Sequence, residues 1–133
     1  MIAKVLIDNI TKNDLICEWG LSFYIEYNGH KILLDTGASG NFAENAKQMG
    51  IHLDEIEYGV LSHAHYDHAD GMPTFFEENK NAKFYLRKGA DENCYGKKNF
   101  FMYKYNGIQE GILGNYAERI EYVEGDYKLL EGV

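Results

Sequence analysis

The stretch Leu61-Ser62-His63-Ala64-His65-Tyr66-Asp67-His68-Ala69-Asp70-Gly71 decides how this chain is read. It packs three of the five histidines and an aspartate into six positions. It also follows directly on Tyr58–Leu61, a short apolar run that predicts a buried strand. Imidazole nitrogens and a carboxylate are the first-choice ligands of a borderline cation such as zinc. A tight loop at a strand end would let them converge to within about 2.0–2.2 Å of it. His63, His65, Asp67 and His68 are therefore the candidate metal ligands.

Working outward, Ile2–Ile7 predicts a strand. Leu21–Tyr27 alternates, with Leu21, Phe23, Ile25 and Tyr27 on one face. Asn28-Gly29 then separates it from the apolar Lys31–Leu34, the strongest short hairpin signal there is. From Asn41 to Met49, Phe42, Ala46 and Met49 recur at helical spacing, and Gly50 is placed to stop the helix. Gly71–Glu78 predicts a short helix with Pro73 in its first turn, where a missing N–H costs least. Ala82–Leu86 returns as a strand, residues 88–118 give no clear pattern, and Arg119–Leu130 predicts a terminal hairpin around Glu124-Gly125-Asp126. Strands alternating with helices in one chain imply an α/β layer structure with a mixed sheet.

Composition narrows the classes. A chain of 133 residues is one ordinary domain, and 45% hydrophobic with 26% charged residues is globular. No window approaches the ~18 apolar residues of a membrane span, and the N-terminus lacks signal-peptide character. Acids number 21 and bases 13, a net charge of −8. Nucleic acid is a poor partner for that balance, and the lysines around Lys97-Lys98 predict a solvated face. Cys17 and Cys94 have no metal-type spacing, which suggests a reducing, cytoplasmic setting; Cys17 is expected to be buried and inert. Trp19 is placed either in the core or at a substrate mouth. His30 and His52, beside a turn and a helix stop, predict exposed polar residues.

The motif His63-x-His65-x-Asp67-His68 at the end of a strand resembles the signature of the metallo-β-lactamase superfamily. The resemblance implies an αββα sandwich, two mixed sheets flanked by helices, with a one- or two-metal site along one edge. By that likeness His63 and His65 bind a first metal, Asp67 and His68 a second. Asp67 also holds the catalytic water, and histidine at 65 points to a zinc-type hydrolase, with Mn²⁺ or Fe as other ions. Asp8-Asn9, Glu18–Ser22, Leu33–Gly37 and Asn45-Ala46 are similar to the branch that includes a proposed methanopterin-precursor synthase. There Asp35 would orient a ligand from behind. The resemblance is good over residues 2–75 and thinner beyond.

The family supplies three further ligands from its later half, yet no histidine follows His68. The expectation is accordingly a single, incomplete domain over 1–133, the N-terminal half of such a sandwich. It would act on a small-molecule substrate, with no nucleic acid or membrane partner. Its sheet would be covered by a missing C-terminal half or by a second copy in a homo-oligomer. Two other readings compete. A fragment lacking ligands could be a weak metal binder or an interaction module. Alternatively, Ile32-Leu33-Leu34-Asp35-Thr36-Gly37-Ala38-Ser39 with Ile112-Leu113-Gly114 resembles a retroviral-type homodimeric aspartic protease using Asp35.

Overall fold

The computed structural model describes residues 1–11 and 14–133. Among these residues eight strands and four α-helices follow in order: β1 (Ile2–Ile7), β2 (Ser22–Tyr27), β3 (His30–Leu34), α1 (Asn41–Gln48), β4 (Tyr58–Val60), α2 (Tyr66–Ala69), α3 (Met72–Glu78), β5 (Lys83–Arg87), β6 (Tyr95–Asn99), β7 (Met102–Tyr105), α4 (Ile112–Asn115) and β8 (Ile120–Val123). Six of the strands make one sheet in the order β1-β2-β3-β4-β5-β8.

The sheet is mixed for local reasons. Asn28 and Gly29 both adopt positive φ, 50° and 83°, which makes a two-residue turn whose twist matches the flanking strands. Tyr27 thus pairs with His30, and β2 runs antiparallel to β3 and to β1. From β3 onward each return crosses through a helix or long connection. The pairs β3–β4, β4–β5 and β5–β8 are therefore parallel. Gly50 ends α1 at φ 67°; its N–H bonds Lys47 O at 3.1 Å while that of Ile51 bonds Ala46 O at 2.8 Å, the paired closure of a Schellman motif.

Helices α1 and α3 lie over one face of the sheet. Leu6, Leu33, Phe42, Met72, Phe75 and Phe84 form the buried centre there. Two buried asparagines tie loops to this core. Asn45 bonds Leu6 O and both backbone groups of Ile16, and Asn79 bonds Leu53 O, Ile56 O and the N–H groups of Asn81 and Ala82. The opposite face carries Ile25, Tyr27, Ile32, Leu34 and Val60. They line an apolar cleft of about 260 Å³ into which the C-terminal Gly132 and Val133 reach.

Several expectations change. The terminal hairpin does not form. Ile120–Val123 pairs parallel with β5, and residues 127–130 turn back on Val133 through its bonds with Leu129 and Leu130. Tyr127 is drawn instead to Tyr85, ring centroids 5.9 Å apart. The unassigned stretch 88–118 holds the β6–β7 hairpin and α4. Cys17 is exposed rather than buried. Ile112-Leu113-Gly114 lies in a helical turn, and parallel strands with covering helices are not the all-β protease architecture.

Candidate metal centre

Strand β3 delivers Asp35 into a left-handed conformation, φ 58°, with its N–H bonded to Val60 O at 2.9 Å. That kink turns the carboxylate under the end of the neighbouring strand β4. Asp35 is 1% exposed, and its carboxylate accepts three hydrogen bonds. Its Oδ1 accepts the Ser62 N–H at 2.7 Å; its Oδ2 accepts the Ser62 hydroxyl at 2.6 Å and the His68 Nδ1–H at 2.7 Å. The protease reading fails here too, because a carboxylate so enclosed cannot meet a twin from a second subunit.

Ser62 has one hydroxyl proton, and the carboxylate takes it. The His63 Nδ1 at 3.0 Å from Ser62 Oγ must therefore carry its own proton and donate. One carboxylate thus fixes His68 directly and His63 through Ser62. Each ring is left with Nε2 as its lone-pair nitrogen.

The three imidazoles of the motif stand together. His63 lies with its ring centroid 4.7 Å from that of His65 and 4.0 Å from that of His68. Asp67 Oδ2 is 3.9 Å from His68 Nε2. Burial, followed by the nearby charges of His68 and His65, holds His63 below the ordinary imidazole range. Asp70 is pushed up by burial, against the pull of the Gln109 N–H that it accepts at 2.8 Å. Asp67 and His68 lie on the helical turn α2, with extended His65 at its N-cap, while His63 lies in the irregular stretch between β4 and α2.

The surroundings are built to hold this turn. His68 O accepts the Thr36 N–H at 2.7 Å and the Thr36 hydroxyl at 3.1 Å, and Asp67 O accepts the Leu21 N–H at 3.2 Å. A Cβ on Gly71 would sit 2.2 Å from Thr36 O, so only glycine lets the start of α3 meet the Asp35 loop. Glu18 pins that loop from the other side through the Ala38 N–H, the Ser39 hydroxyl and Asn41. Trp19, 67% exposed, joins Asp8, Asn9, Asp67 and His68 around a surface cleft of about 290 Å³, so it lies at the surface beside the motif and not in the core. Ser62 is the residue that sequence reasoning passed over. A hydroxyl directly before the first histidine, at a strand end, was its only signal.

Among the described residues, no group of three or more His, Cys, Asp and Glu side chains is arranged to hold a metal ion. The donor set nevertheless fits a borderline cation in its chemistry. It offers three imidazoles, two of them with the tautomer fixed from behind by hydrogen bonds, and one carboxylate.

Comparison with known proteins places the chain. The sequence model of the metallo-beta-lactamase superfamily matches residues 20–128. An uncharacterised protein of Methanocaldococcus jannaschii is 30% identical over 131 residues, which are 96% of this chain and 49% of that protein. The chain thus spans about half the length of the curated relative it matches. A crystal structure described as a metal-dependent hydrolase of the beta-lactamase superfamily, Tm1679, superposes with a TM-score of 0.69 at 26% identity, over 94% of this chain and 42% of that one. A quorum-quenching N-acyl homoserine lactone lactonase shares the fold, with a TM-score of 0.59 at 23% identity over 83% of this chain and 46% of the lactonase. This chain belongs to the metallo-beta-lactamase superfamily.

Proposed function

We propose that this chain provides the first ligands of a metal-dependent hydrolase: His63 and His65 for one ion, Asp67 and His68 for a second. Zinc is the ion that suits the donors best, with manganese or iron as alternatives. The observation that carries the reading is Asp35, a single buried carboxylate that fixes two of the three histidines of the motif. Bound zinc would supply a hydroxide nucleophile near neutral pH and polarise the scissile carbonyl or phosphoryl oxygen. Asp67 orients the attacking water and takes its proton. Asp35 keeps the His68 and His63 rings from rotating, and Trp19 with Asn9 borders the mouth by which a small-molecule substrate enters. The two free cysteines support a reducing, cytoplasmic setting.

A catalytic zinc normally has three protein ligands, and no histidine follows His68. This reading takes the remaining ligands from outside these 133 residues. Elemental analysis of the purified chain should therefore find weak, substoichiometric metal, removed by the double substitution His63→Ala/His65→Ala. Turnover of phosphodiester, ester and lactone substrates should not exceed that of free metal ions. It should appear when a C-terminal half with the remaining ligands is supplied, and vanish in Asp67→Asn. Stoichiometric metal in the double variant would place the site elsewhere. The second reading, a catalytically incomplete metal-binding or interaction fragment, rests on the same ligand count and is upheld if no added half restores turnover.

A further inference from the structure

The β6–β7 hairpin is unlike the rest of the molecule. Its strands pair only with each other, and every residue of β7 and all of β6 but Gly96 is exposed. At the turn Phe100 is 81% and Phe101 87% exposed, with Met102 beside them. Fourteen residues, 94–107, hold Lys97, Lys98 and Lys104 and no acid, whereas the remaining chain sets 21 acids against ten bases. The Lys97 ammonium sits 5.2 Å from the Phe100 ring centroid, so charge and aromatic surface are presented together. Two exposed phenylalanines on an isolated two-stranded ribbon are costly in water, and such ribbons are marginal by themselves.

We propose that this hairpin docks the protein on an anionic membrane surface, with Phe100 and Phe101 entering the headgroup boundary and the lysines facing lipid phosphates. An apolar tip backed by lysines and free of acids complements a surface that is negative outside and apolar beneath. The tip stands about 15 Å from the hairpin base, at about 3.3 Å per residue, against a screening length of about 8 Å in physiological salt. The acidic body is therefore screened from the surface that the tip touches. A nucleic-acid duplex would instead have to lie along that body. The expectation of no membrane partner rested on the lack of a spanning segment, and a peripheral contact needs none. Docking would also carry the histidine segment with it. The hairpin base is bonded there through Tyr66 N–H to Asn106 O at 2.9 Å and a bridge between His65 and Gly107.

Co-sedimentation of the whole chain with vesicles tests this directly. Vesicles of phosphatidylcholine with one-third phosphatidylglycerol should bind the chain, those of phosphatidylcholine alone at least about tenfold more weakly, and roughly 0.5 M salt should release most of it. Lys97→Gln/Lys98→Gln should weaken binding by about 25-fold, from about fivefold per lysine. Phe100→Ser/Phe101→Ser should weaken it by at least about tenfold, with an unchanged far-ultraviolet circular dichroism spectrum because both side chains are already in solvent. No binding at millimolar anionic lipid overturns the proposal. So does equal binding to both vesicle types, undiminished binding by the phenylalanine variant, or retention on duplex DNA without retention on vesicles.

Discussion

Asp35 and His68, 33 positions apart, meet through a 2.7 Å hydrogen bond from Nδ1 to a carboxylate that is almost wholly buried. The same carboxylate accepts both the backbone and the hydroxyl of Ser62, so the end of β4 and the turn of α2 share one anchor. Asp35→Ala should cost about 3 kcal/mol in chemical denaturation, since it leaves the Ser62 N–H and the imidazole without their acceptor. Zinc affinity, measured by competition with a chromophoric chelator, should fall 10- to 100-fold, as for other losses behind a ligand (an order-of-magnitude expectation). Wild-type affinity in the folded variant would show that Asp35 serves only the fold.

Ser62→Ala separates the two histidines. His68 keeps its carboxylate, while His63 loses the acceptor for Nδ1–H. The Nδ1 resonance of His63 in ¹⁵N NMR should move towards a tautomer mixture and that of His68 should stay. Equal movement of both would mean that Ser62 does not transmit the constraint.

Gly71→Ala probes the junction of α3 with the Asp35 loop. The added Cβ would meet Thr36 O at 2.2 Å and Ser39 O at 2.5 Å, both backbone atoms that cannot swing aside. We expect a loss of about 2 kcal/mol or more by thermal unfolding, with weakened metal binding. A variant as stable as wild type would show that the loop adjusts freely.

The exposed pair His30–Glu57, 2.9 Å apart, gives a pH dependence away from the centre. The hydrogen bond from His30 is the main cause that holds Glu57 below the usual carboxylate range. A depressed carboxylate contributes stability that is present above its unfolded pKa of about 4.3 and is lost as pH falls through the lower folded value. Solvent limits the effect to at most about 0.5 kcal/mol. Glu57→Gln should remove that contribution at neutral pH, leave stability in strong acid unchanged, and so flatten the acid limb of the stability profile. A loss in strong acid as large as that at pH 7 would reverse the sign and reject the account.

The apolar cleft on the sheet face away from the helices predicts association. Ile25, Tyr27, Leu34 and Val60 are covered only in part by the last residues of the chain. Either a second copy or the other half of the sandwich should bury them. Light scattering should report a species larger than 15.3 kDa, and Ile25→Lys should shift it towards the monomer. A monomer across the micromolar range would show that this face needs no cover.

What the sequence determined by itself is what a few neighbouring residues encode. Asn28-Gly29 admits positive φ twice and so forces the hairpin. Gly50 stops α1. The apolar alternation of β2 places Phe23, Ile25 and Tyr27 on one face, and the run of histidines after β4 marks the candidate centre. Each depends on backbone preference or on a periodicity of two or 3.6 residues, which local chemistry sets. Tertiary structure alone decided the rest. The relay from Asp35 through Ser62 to His63 joins side chains brought together by parallel pairing of β3 with β4, and no local signal orders that encounter. Tyr127 stands outside the expected terminal strand, with its ring against that of Tyr85. Phe100 and Phe101 are large apolar side chains, yet they stand in solvent. Hydrophobicity says that a residue gains by burial, whereas only the packed chain decides whether any surface remains to bury it.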